Sequence, residues 1–336
     1  MARLILHVGT HKTATTTIQK SFHANRQLLA RHGLTYPDIG RTAGHHGLVT
    51  DWVNLPPVFH LSEGSEAAWK KLVAQATKHD QAVFLSSEEF SRGHPNSRVD
   101  LAAIRSWLDP FEEIKVICTL RDQVSFLQSI YLEISKKKAP PYWGAFLKSA
   151  LTKGYGAGLF LNYCVLDDHL RSAFAEDEIH YVDYAAACQE PGIRAHILRL
   201  AGCEMDSTLL QDTQETRQAN VSPDPLSAWI AGMIARPGIA DDALMELVRD
   251  KLANSFDEGR PTTLYIRSEI QQLRKCVTPW NEEFLERLAR RQPGFHLTPT
   301  KMPDNTAYRS DLKTSFWVNL TQSLYNRDTH NTGPRP

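Results

Sequence analysis

The feature that most limits the possible folds lies in the first 33 residues, which predict a strand, a tight loop and a helix. Residues 4–8 form a short, largely apolar run that stops at Gly9, as expected of a buried strand in a parallel sheet. Residues 13–31 then place apolar side chains at helical spacing, and Gly33 stands where a helix commonly ends. This succession is a building block of α/β folds.

The same alternation continues along the chain. Further strands are predicted for residues 82–85, 114–120 and 179–184, and a short strand or turn for residues 33–37. Helices are predicted for residues 66–78, 101–108, 123–135, 142–153, 160–175 and 193–200, with Ser65 placed to cap the first. The fold class we expect is therefore α/β, a P-loop-like doubly wound parallel sheet flanked by helices.

We expect residues 1–205 to form a nucleotide-binding core and residues 206–336 a mostly helical C-terminal region packed on the same domain. The stretch 206–225 is polar and contains Pro223 and Pro225, which predicts an exposed loop. Residues 326–336 resemble a frayed tail. Ligands of doubly wound sheets bind beyond the carboxyl ends of the strands. In this chain those ends are predicted at residues 9–13, 86–89 and Arg121.

Composition excludes several classes of function. Lys plus Arg and Asp plus Glu both number 38, so the chain lacks the basic field of a nucleic-acid-binding protein. Five widely spaced cysteines without a C-x-x-C favour reduced thiols over disulfides or a zinc site. We find no apolar run long enough to cross a membrane and no signal peptide, so we expect a cytoplasmic protein.

The loop after the first strand contains the kinds of groups that bind anions. Backbone N–H groups at a helix start attract a phosphate, small residues let the backbone approach it, and Lys12 adds a full charge. A Walker A loop would need a glycine before the lysine, where this chain has His11. Ordinary helix capping is the alternative explanation for the threonines. The candidate binding residues are Gly9, Lys12, Thr13, Ala14, Thr15 and Thr16.

At these residues the chain resembles the sulfotransferase superfamily. Lys12-Thr13-Ala14-Thr15-Thr16 is similar to that family's 5'-phosphosulfate loop, and the fuller run from His7 to Gln19 is similar to a bacterial branch of it. Many members have glycine at the position of Ala14, and alanine is tolerated there if its backbone stays in the helical region. The resemblance covers roughly residues 1–205 and implies 3'-phosphoadenosine-5'-phosphosulfate (PAPS) as cosubstrate and 3',5'-ADP as product.

The family's second signature is an arginine at a strand end and a serine eight residues later, which together hold the 3'-phosphate of the donor. Arg121 and Ser129 have this spacing. A guanidinium offers forked, charged donors to phosphate oxygens, so the assignment is chemically sound. An arginine and a serine at this spacing would be a weak signal alone; together with the Lys12 loop they predict the nucleotide site.

Sulfuryl transfer resembles phosphoryl transfer and depends on positioning and electrostatic stabilisation. We expect Lys12 to neutralise the departing bridging oxygen and His11 to donate to the sulfuryl oxygens, with no metal required. The base that deprotonates the acceptor is predicted to be Glu88 or one of His45 and His46, with Asp38 as a weaker candidate. Glu88 could instead face a helix dipole, and the two histidines could lie in an exposed turn.

Two other functions remain open from the sequence. One is a P-loop nucleotide kinase or phosphotransferase, which would need a strand-end aspartate for Mg²⁺; the chain has Glu88 there. The other is a non-catalytic nucleotide-binding module of the same fold. For an enzyme, the acceptor could be a small molecule, a lipid headgroup or a glycan. The sequence does not define the oligomeric state.

Overall fold

The computed structural model describes residues 2–78, 81–93, 97–211, 223–256 and 259–331. The chain divides into two compact units, each assembled from three segments. The first comprises Met1–Gln123, Ser149–Val221 and Val277–Pro299, and the second comprises Val124–Lys148, Ser222–Cys276 and Thr300–Pro336. The functional boundary predicted at residue 205 stays a prediction.

The first unit contains a five-stranded, entirely parallel sheet with helices on both faces, which confirms the predicted fold class. Its strands are β1 (Arg3–His7), β2 (Leu34–Thr35), β3 (Ala82–Ser86), β4 (Glu113–Leu120) and β7 (Ile179–Asp183), in the spatial order β2-β3-β1-β4-β7. A small antiparallel pair, β5 (Tyr155–Gly156) and β6 (Leu159–Phe160), lies outside this sheet. Because β1 pairs with both β3 and β4, the loops after these three strands meet at one edge.

Helices alternate with these strands. They are α1 (Thr15–Ala24), α2 (Arg26–Arg31), α3 (Ser65–Lys78), α4 (Leu101–Trp107), α5 (Gln123–Ser135), α6 (Trp143–Lys153), α7 (Tyr163–Arg171), α8 (Tyr184–Ala187) and α9 (Ile193–Leu200). Alternate residues of β1 enter different cores: Leu4 and Leu6 pack into one cluster and Ile5 into the other. Two apolar faces on one strand explain why the strand lacks the alternating pattern of a half-exposed one.

Where the sequence predicts one helix over residues 13–31, the structure has two, and Asn25 separates them. Its Nδ2 donates to the carbonyl oxygen of Ser21 at 2.8 Å, and its Oδ1 accepts from the backbone N–H of Gln211 at 3.0 Å. Asparagine competes with helical hydrogen bonds in this way, so the helix ends there. Gly33 follows α2 with φ 79°, as predicted for a helix end.

Three other local expectations are corrected. The helix predicted for residues 160–175 begins only at Tyr163, because Phe160 pairs in β6 and Asn162 caps α7. Ser65 lies inside α3, and its hydroxyl donates to the carbonyl oxygen of Gly47 at 2.9 Å instead of capping the helix. The chain beyond residue 325 continues as a helix to Asn331.

The second unit is mostly helical. It contains α10 (Pro225–Ile234), α11 (Asp242–Ser255), the first part of α12 (Arg267–Leu288), α13 (Thr314–Asn331) and a short parallel pair, β8 (Thr262–Thr263) with β9 (Ala307–Tyr308). Its core centres on Leu226, Ile230, Val248 and Phe316, all at most 2% exposed. Of the loop predicted at 206–225, residues 212–222 lie outside the described residues. No helix in the described ranges combines the length and apolarity needed to cross a membrane.

Candidate functional site

The loop after β1 follows the neighbouring strand before it turns into α1. The backbone N–H of Val8 donates to Ile117 O at 2.9 Å and that of Thr10 to Thr119 O at 3.0 Å, so the loop continues the β1–β4 ladder. The Thr10 hydroxyl donates to the same Thr119 oxygen at 3.0 Å. The start of the loop is therefore fixed by β4 and not by its own local sequence.

Two residues of the loop have left-handed backbone conformations, Lys12 with φ 65° and Ala14 with φ 60°. The condition under which Ala14 would be harmless, a right-handed helical backbone, is therefore not met. Left-handed alanine is strained, which explains why glycine suits this position better. Ala14 precedes α1 without a side-chain cap, and the first turn of α1 contains no acidic residue. This helix start therefore keeps its attraction for an anion.

The remaining loop residues pack tightly. The Thr13 hydroxyl donates to the carbonyl oxygen of Thr10 at 2.5 Å. A Cβ at Gly9 would lie 3.1 Å from Nε2 of His7 and 3.2 Å from Oγ1 of Thr13, so these side chains would have to shift slightly to admit a larger residue. Thr15 is buried and Thr16 is exposed. Of the predicted threonines, Thr16 is the one whose side chain reaches the surface.

Arg121 follows β4, as predicted, and its guanidinium binds the loop directly. Nη1 donates to the carbonyl oxygen of Lys12 at 3.0 Å, and the group lies over the Tyr184 ring at 5.2 Å. The Tyr163 hydroxyl donates to the backbone carbonyl oxygen of Arg121. Burial lowers the pKa of Arg121, and the neighbouring tyrosines act in the opposite direction. A partly desolvated guanidinium at a strand end suits an anion site.

Ser129 lies in α5, in the part that belongs to the second unit. Its side chain is buried, and its hydroxyl donates to the carbonyl oxygen of Phe126 at 2.7 Å. The assignment of Ser129 to the 3'-phosphate stays a prediction.

Glu88 begins a short 3-10 helix, Glu88–Ser91, directly after β3. Nε2 of Gln19, from the buried side of α1, donates to Oε2 of Glu88 at 2.9 Å and lies 3.3 Å from Oγ of Ser86. Burial alone would raise the pKa of Glu88, but interactions with His46 and His11 hold it below the ordinary value. Glu88 is therefore a carboxylate at neutral pH, the form that a general base needs.

The two histidines of the Gly44–Gly47 segment, His45 and His46, differ in their hydrogen bonds. Nδ1 of His45 accepts from the backbone N–H of Ser86 at 2.9 Å, and Nε2 lies 2.9 Å from the carbonyl oxygen of Pro37, to which it must donate. Both ring nitrogens of this neutral imidazole are thus occupied. Burial lowers the pKa of His45 to about 4. Among the described residues, the hydrogen bond of His46 is the one between Nδ1 and the Ser87 hydroxyl, at 2.9 Å.

Asp38 has different neighbours. Its carboxylate oxygens lie 3.1 Å from Nε2 of His23 and 3.5 Å from a guanidinium nitrogen of Arg26, and its side chain is 54% exposed. Of the four base candidates, Glu88 and His46 therefore remain the best placed.

His11 contacts two residues that follow β3. Its Nε2 lies 3.2 Å from Oε1 of Glu89 and 3.4 Å from Nη2 of Arg92, and Arg92 also pairs with Glu89 through Nε and Nη2. Sequence reasoning noted Glu89 only as a neighbour of Glu88 and missed Arg92. The spacing of three residues between Glu89 and Arg92, directly after a strand, was the available signal.

His7 is a second residue that sequence reasoning did not assign to the site. It lies fully buried in β1, with Nδ1 2.9 Å from the Ser86 hydroxyl and Nε2 3.4 Å from the Thr119 hydroxyl. It therefore links the ends of β3 and β4 underneath the loop. Burial lowers the pKa of His7 to about 4, although Glu88 acts in the opposite direction.

Among the residues that the structure describes, no group of three or more His, Cys, Asp and Glu side chains could hold a metal ion. No protein-family model matches the sequence, and no curated protein matches it. Among solved structures, the chain is similar to the crystal structure of a sulfotransferase from Alicyclobacillus acidocaldarius. The two are 14% identical with a TM-score of 0.40, over 72% of this chain and 95% of that one.

Proposed function

We propose that this protein is a sulfotransferase that moves a sulfuryl group from PAPS to a hydroxyl or amine acceptor. The observation that carries the proposal is the loop from Lys12 to Thr16, which resembles a 5'-phosphosulfate loop. It follows the central strand β1, and Arg121 binds its backbone. The acceptor class we propose is a small molecule, a lipid headgroup or a glycan precursor.

The residues of the first unit fit a nucleotide with phosphates at both its 5' and 3' positions. The start of α1 has no side-chain cap and no acidic residue in its first turn, and Lys12 adds a positive charge beside it. Arg121 brings a second cation at the next strand end, matching the position from which the family binds the 3'-phosphate.

When bound, PAPS supplies an activated sulfuryl group on a phosphate leaving group. In this reading Lys12 balances the charge that develops on the departing phosphate oxygen. Glu88 accepts the proton of the acceptor hydroxyl or amine, and the amide of Gln19 orients its carboxylate. His46 is the second candidate for this proton. His11 is engaged with Glu89, so a direct contact with the sulfuryl group would first need this contact to break.

The first test is the thermal stability of the protein with 3',5'-ADP, with 5'-ADP, and with ATP plus Mg²⁺. A ligand at one hundred times its Kd stabilises a folded protein by about 2.7 kcal/mol. We expect a clear shift of the melting temperature with 3',5'-ADP and little with the other two. Transfer of radiolabelled sulfate from PAPS to panels of hydroxyl and amine acceptors would follow.

The outcomes separate the competing functions. Stabilisation by ATP plus Mg²⁺ without stabilisation by 3',5'-ADP would favour a nucleotide phosphotransferase and contradict the proposal. Stabilisation by 3',5'-ADP without transfer to any acceptor class would favour a non-catalytic nucleotide-binding module.

A further inference from the structure

Three charged or ionisable side chains join the loop after β1 to the 3-10 helix after β3. Oε1 of Glu89 lies 3.2 Å from Nε2 of His11 and 3.1 Å from Nη2 of Arg92, and Oε2 accepts from Nε of Arg92. The hydroxyl of Ser87 accepts from the backbone N–H of Glu89 at 3.3 Å, which fixes the start of this turn. The cluster thus spans 78 residues of sequence between His11 and Glu89.

The chemistry of the three groups fixes the proton on His11. Burial alone would raise the pKa of Glu89, but the hydrogen bonds from His11 and Arg92 hold it well below the ordinary value. Glu89 is therefore an acceptor only, and Arg92 is a donor only. The shorter contact of Nε2 is with Glu89, so Nε2 carries a proton and donates it to this carboxylate.

The cluster is shielded from water. The side chains of His11, Glu89 and Arg92 are 19%, 10% and 24% exposed. Nδ1 of His11 is buried and has no hydrogen-bond partner in the part of the chain that the structure describes, whereas Nε2 has Glu89. Turning the ring over would replace Nε2 by a C–H group beside Glu89 and leave the Glu89 carboxylate without its imidazole donor, which is costly in a partly buried place. The ring orientation is therefore tied to Glu89.

We propose that Glu89 is a positioning residue of the site, which holds the loop between Gly9 and Ala14 through His11 and keeps the proton of His11 on Nε2. Arg92 completes the arrangement by donating hydrogen bonds to both carboxylate oxygens of Glu89. The functional consequence, a loop preformed for the nucleotide, rests on the proposed function; the state of the His11 ring does not.

The ring state is measured on the ligand-free protein by ¹⁵N nuclear magnetic resonance of histidine side chains, at about pH 8 where an ordinary imidazole is neutral. His11→Asn identifies the His11 signals by their loss. In the unmodified protein we expect a protonated Nε2 and an unprotonated Nδ1. Glu89→Ala should bring the two nitrogens toward averaged shifts, because both tautomers become accessible. Glu89→Gln should preserve the Nε2–H form, because the amide oxygen still accepts a hydrogen bond.

Binding of 3',5'-ADP supplies the second readout. We expect Glu89→Ala to weaken it about tenfold and Glu89→Gln by a smaller factor, since a hydrogen bond to a charged group is replaced by a neutral one. Glu66→Ala is the matched control, because Glu66 is exposed and pairs with Lys70. Circular dichroism establishes whether each variant is folded. If Glu89→Ala does not fold, the binding of 3',5'-ADP is compared between Glu89→Gln and His11→Asn instead.

Two results would overturn the proposal: a proton on Nδ1 of His11 in the unmodified protein, or His11 shifts that do not change in a folded Glu89→Ala variant. Failure of the proposed function is recognised separately. In that case the unmodified protein would not bind 3',5'-ADP at all, while the ring measurement would still decide the role of Glu89.

Discussion

The guanidinium of Arg121 donates a hydrogen bond from Nη1 to the backbone carbonyl oxygen of Lys12. The two atoms are 3.0 Å apart, although the residues are 109 positions apart in the sequence. Lys12 is one of two residues at which the loop backbone is left-handed. The bond therefore holds the loop where it turns.

This contact makes the effect of Arg121→Ala informative. If Arg121 binds the 3'-phosphate, the variant should weaken 3',5'-ADP binding by about 10- to 100-fold, in line with the loss of hydrogen bonds to a charged group. Binding of 5'-AMP should weaken much less. Isothermal titration calorimetry measures both. Equal losses for the two nucleotides would mean that Arg121 acts only through the loop. Arg105→Ala, which removes an arginine paired with Asp109, is the control.

Lys12→Ala tests the electrostatic part of the mechanism. We expect transfer from PAPS to fall by about 10²–10³-fold or more, because charge on the departing oxygen would lose its balancing cation. Lys20→Ala, in the middle of α1, is the comparison, because it removes a lysine from the helix that follows the loop. Turnover within a few-fold of normal in Lys12→Ala would contradict the assigned role.

The base is identified by comparing Glu88→Gln with His46→Asn. If Glu88 is the base, Glu88→Gln should lower kcat by about 10²–10⁴-fold and leave the Kd of 3',5'-ADP nearly unchanged. His46→Asn should then have the smaller effect, since its imidazole contacts the hydroxyl of Ser87. The reverse order of the two kcat values would assign the proton to His46.

Ala14→Gly should stabilise the protein. The alanine has φ 60° and ψ 20°, and removing its Cβ relieves strain of about 1–2 kcal/mol. The greater freedom of glycine in the unfolded chain offsets about 0.4–1 kcal/mol of this, so the free energy of unfolding should rise by roughly 0.5–1 kcal/mol. Urea denaturation measures the difference. Ala24→Gly, at the exposed last residue of α1, should instead destabilise, by less than the roughly 1 kcal/mol that glycine costs in a helix interior. A loss of stability in Ala14→Gly would refute the strain argument.

The buried histidines predict how stability depends on pH. Burial lowers the pKa of His7 and of His45 from 6.5 to about 4. Between these values the unfolded chain binds protons that the folded one does not, so the stabilisation present above pH 6.5 is lost as the pH falls toward 4. Each histidine should contribute about 3 kcal/mol to this loss.

Urea denaturation at a series of pH values measures this dependence. His7→Asn keeps a polar group near the Ser86 hydroxyl and should flatten the profile by the contribution of one histidine. His296→Asn, at an exposed position, should leave the slope as it was. A profile that stays equally steep in His7→Asn would show that this residue does not cause the loss.

Local patterns were sufficient for the sheet and for the position of the loop. The runs at residues 4–8, 82–85 and 114–120 are apolar because both faces of a central parallel strand are covered, and the structure has strands at all three. Lys12 and Arg121 could be associated in advance because carboxyl ends of parallel strands meet at one edge. Residue type and the order of the elements along the chain were thus enough to predict where the candidate site lies and that Lys12 and Arg121 belong to it.

Local sequence patterns did not predict the features that depend on contacts with residues far away in the sequence. The helix break at Asn25 depends on a hydrogen bond with the backbone of Gln211. The left-handed backbone of Ala14 lies in a loop whose first residues hydrogen bond to β4.

The same holds for the histidines. His45 and His46 are neighbours in sequence but have different partners: the backbone N–H of Ser86, at the end of β3, donates to His45, and the hydroxyl of the next residue, Ser87, contacts His46. The partnership of His11 with Glu89 likewise arises because β1 and β3 lie side by side in the sheet. The sequence by itself determined the fold class and predicted Lys12 and Arg121 as cations of the candidate site. Only the tertiary structure decided which hydrogen bonds the charged groups make, because strand pairing brings together atoms that are far apart along the chain.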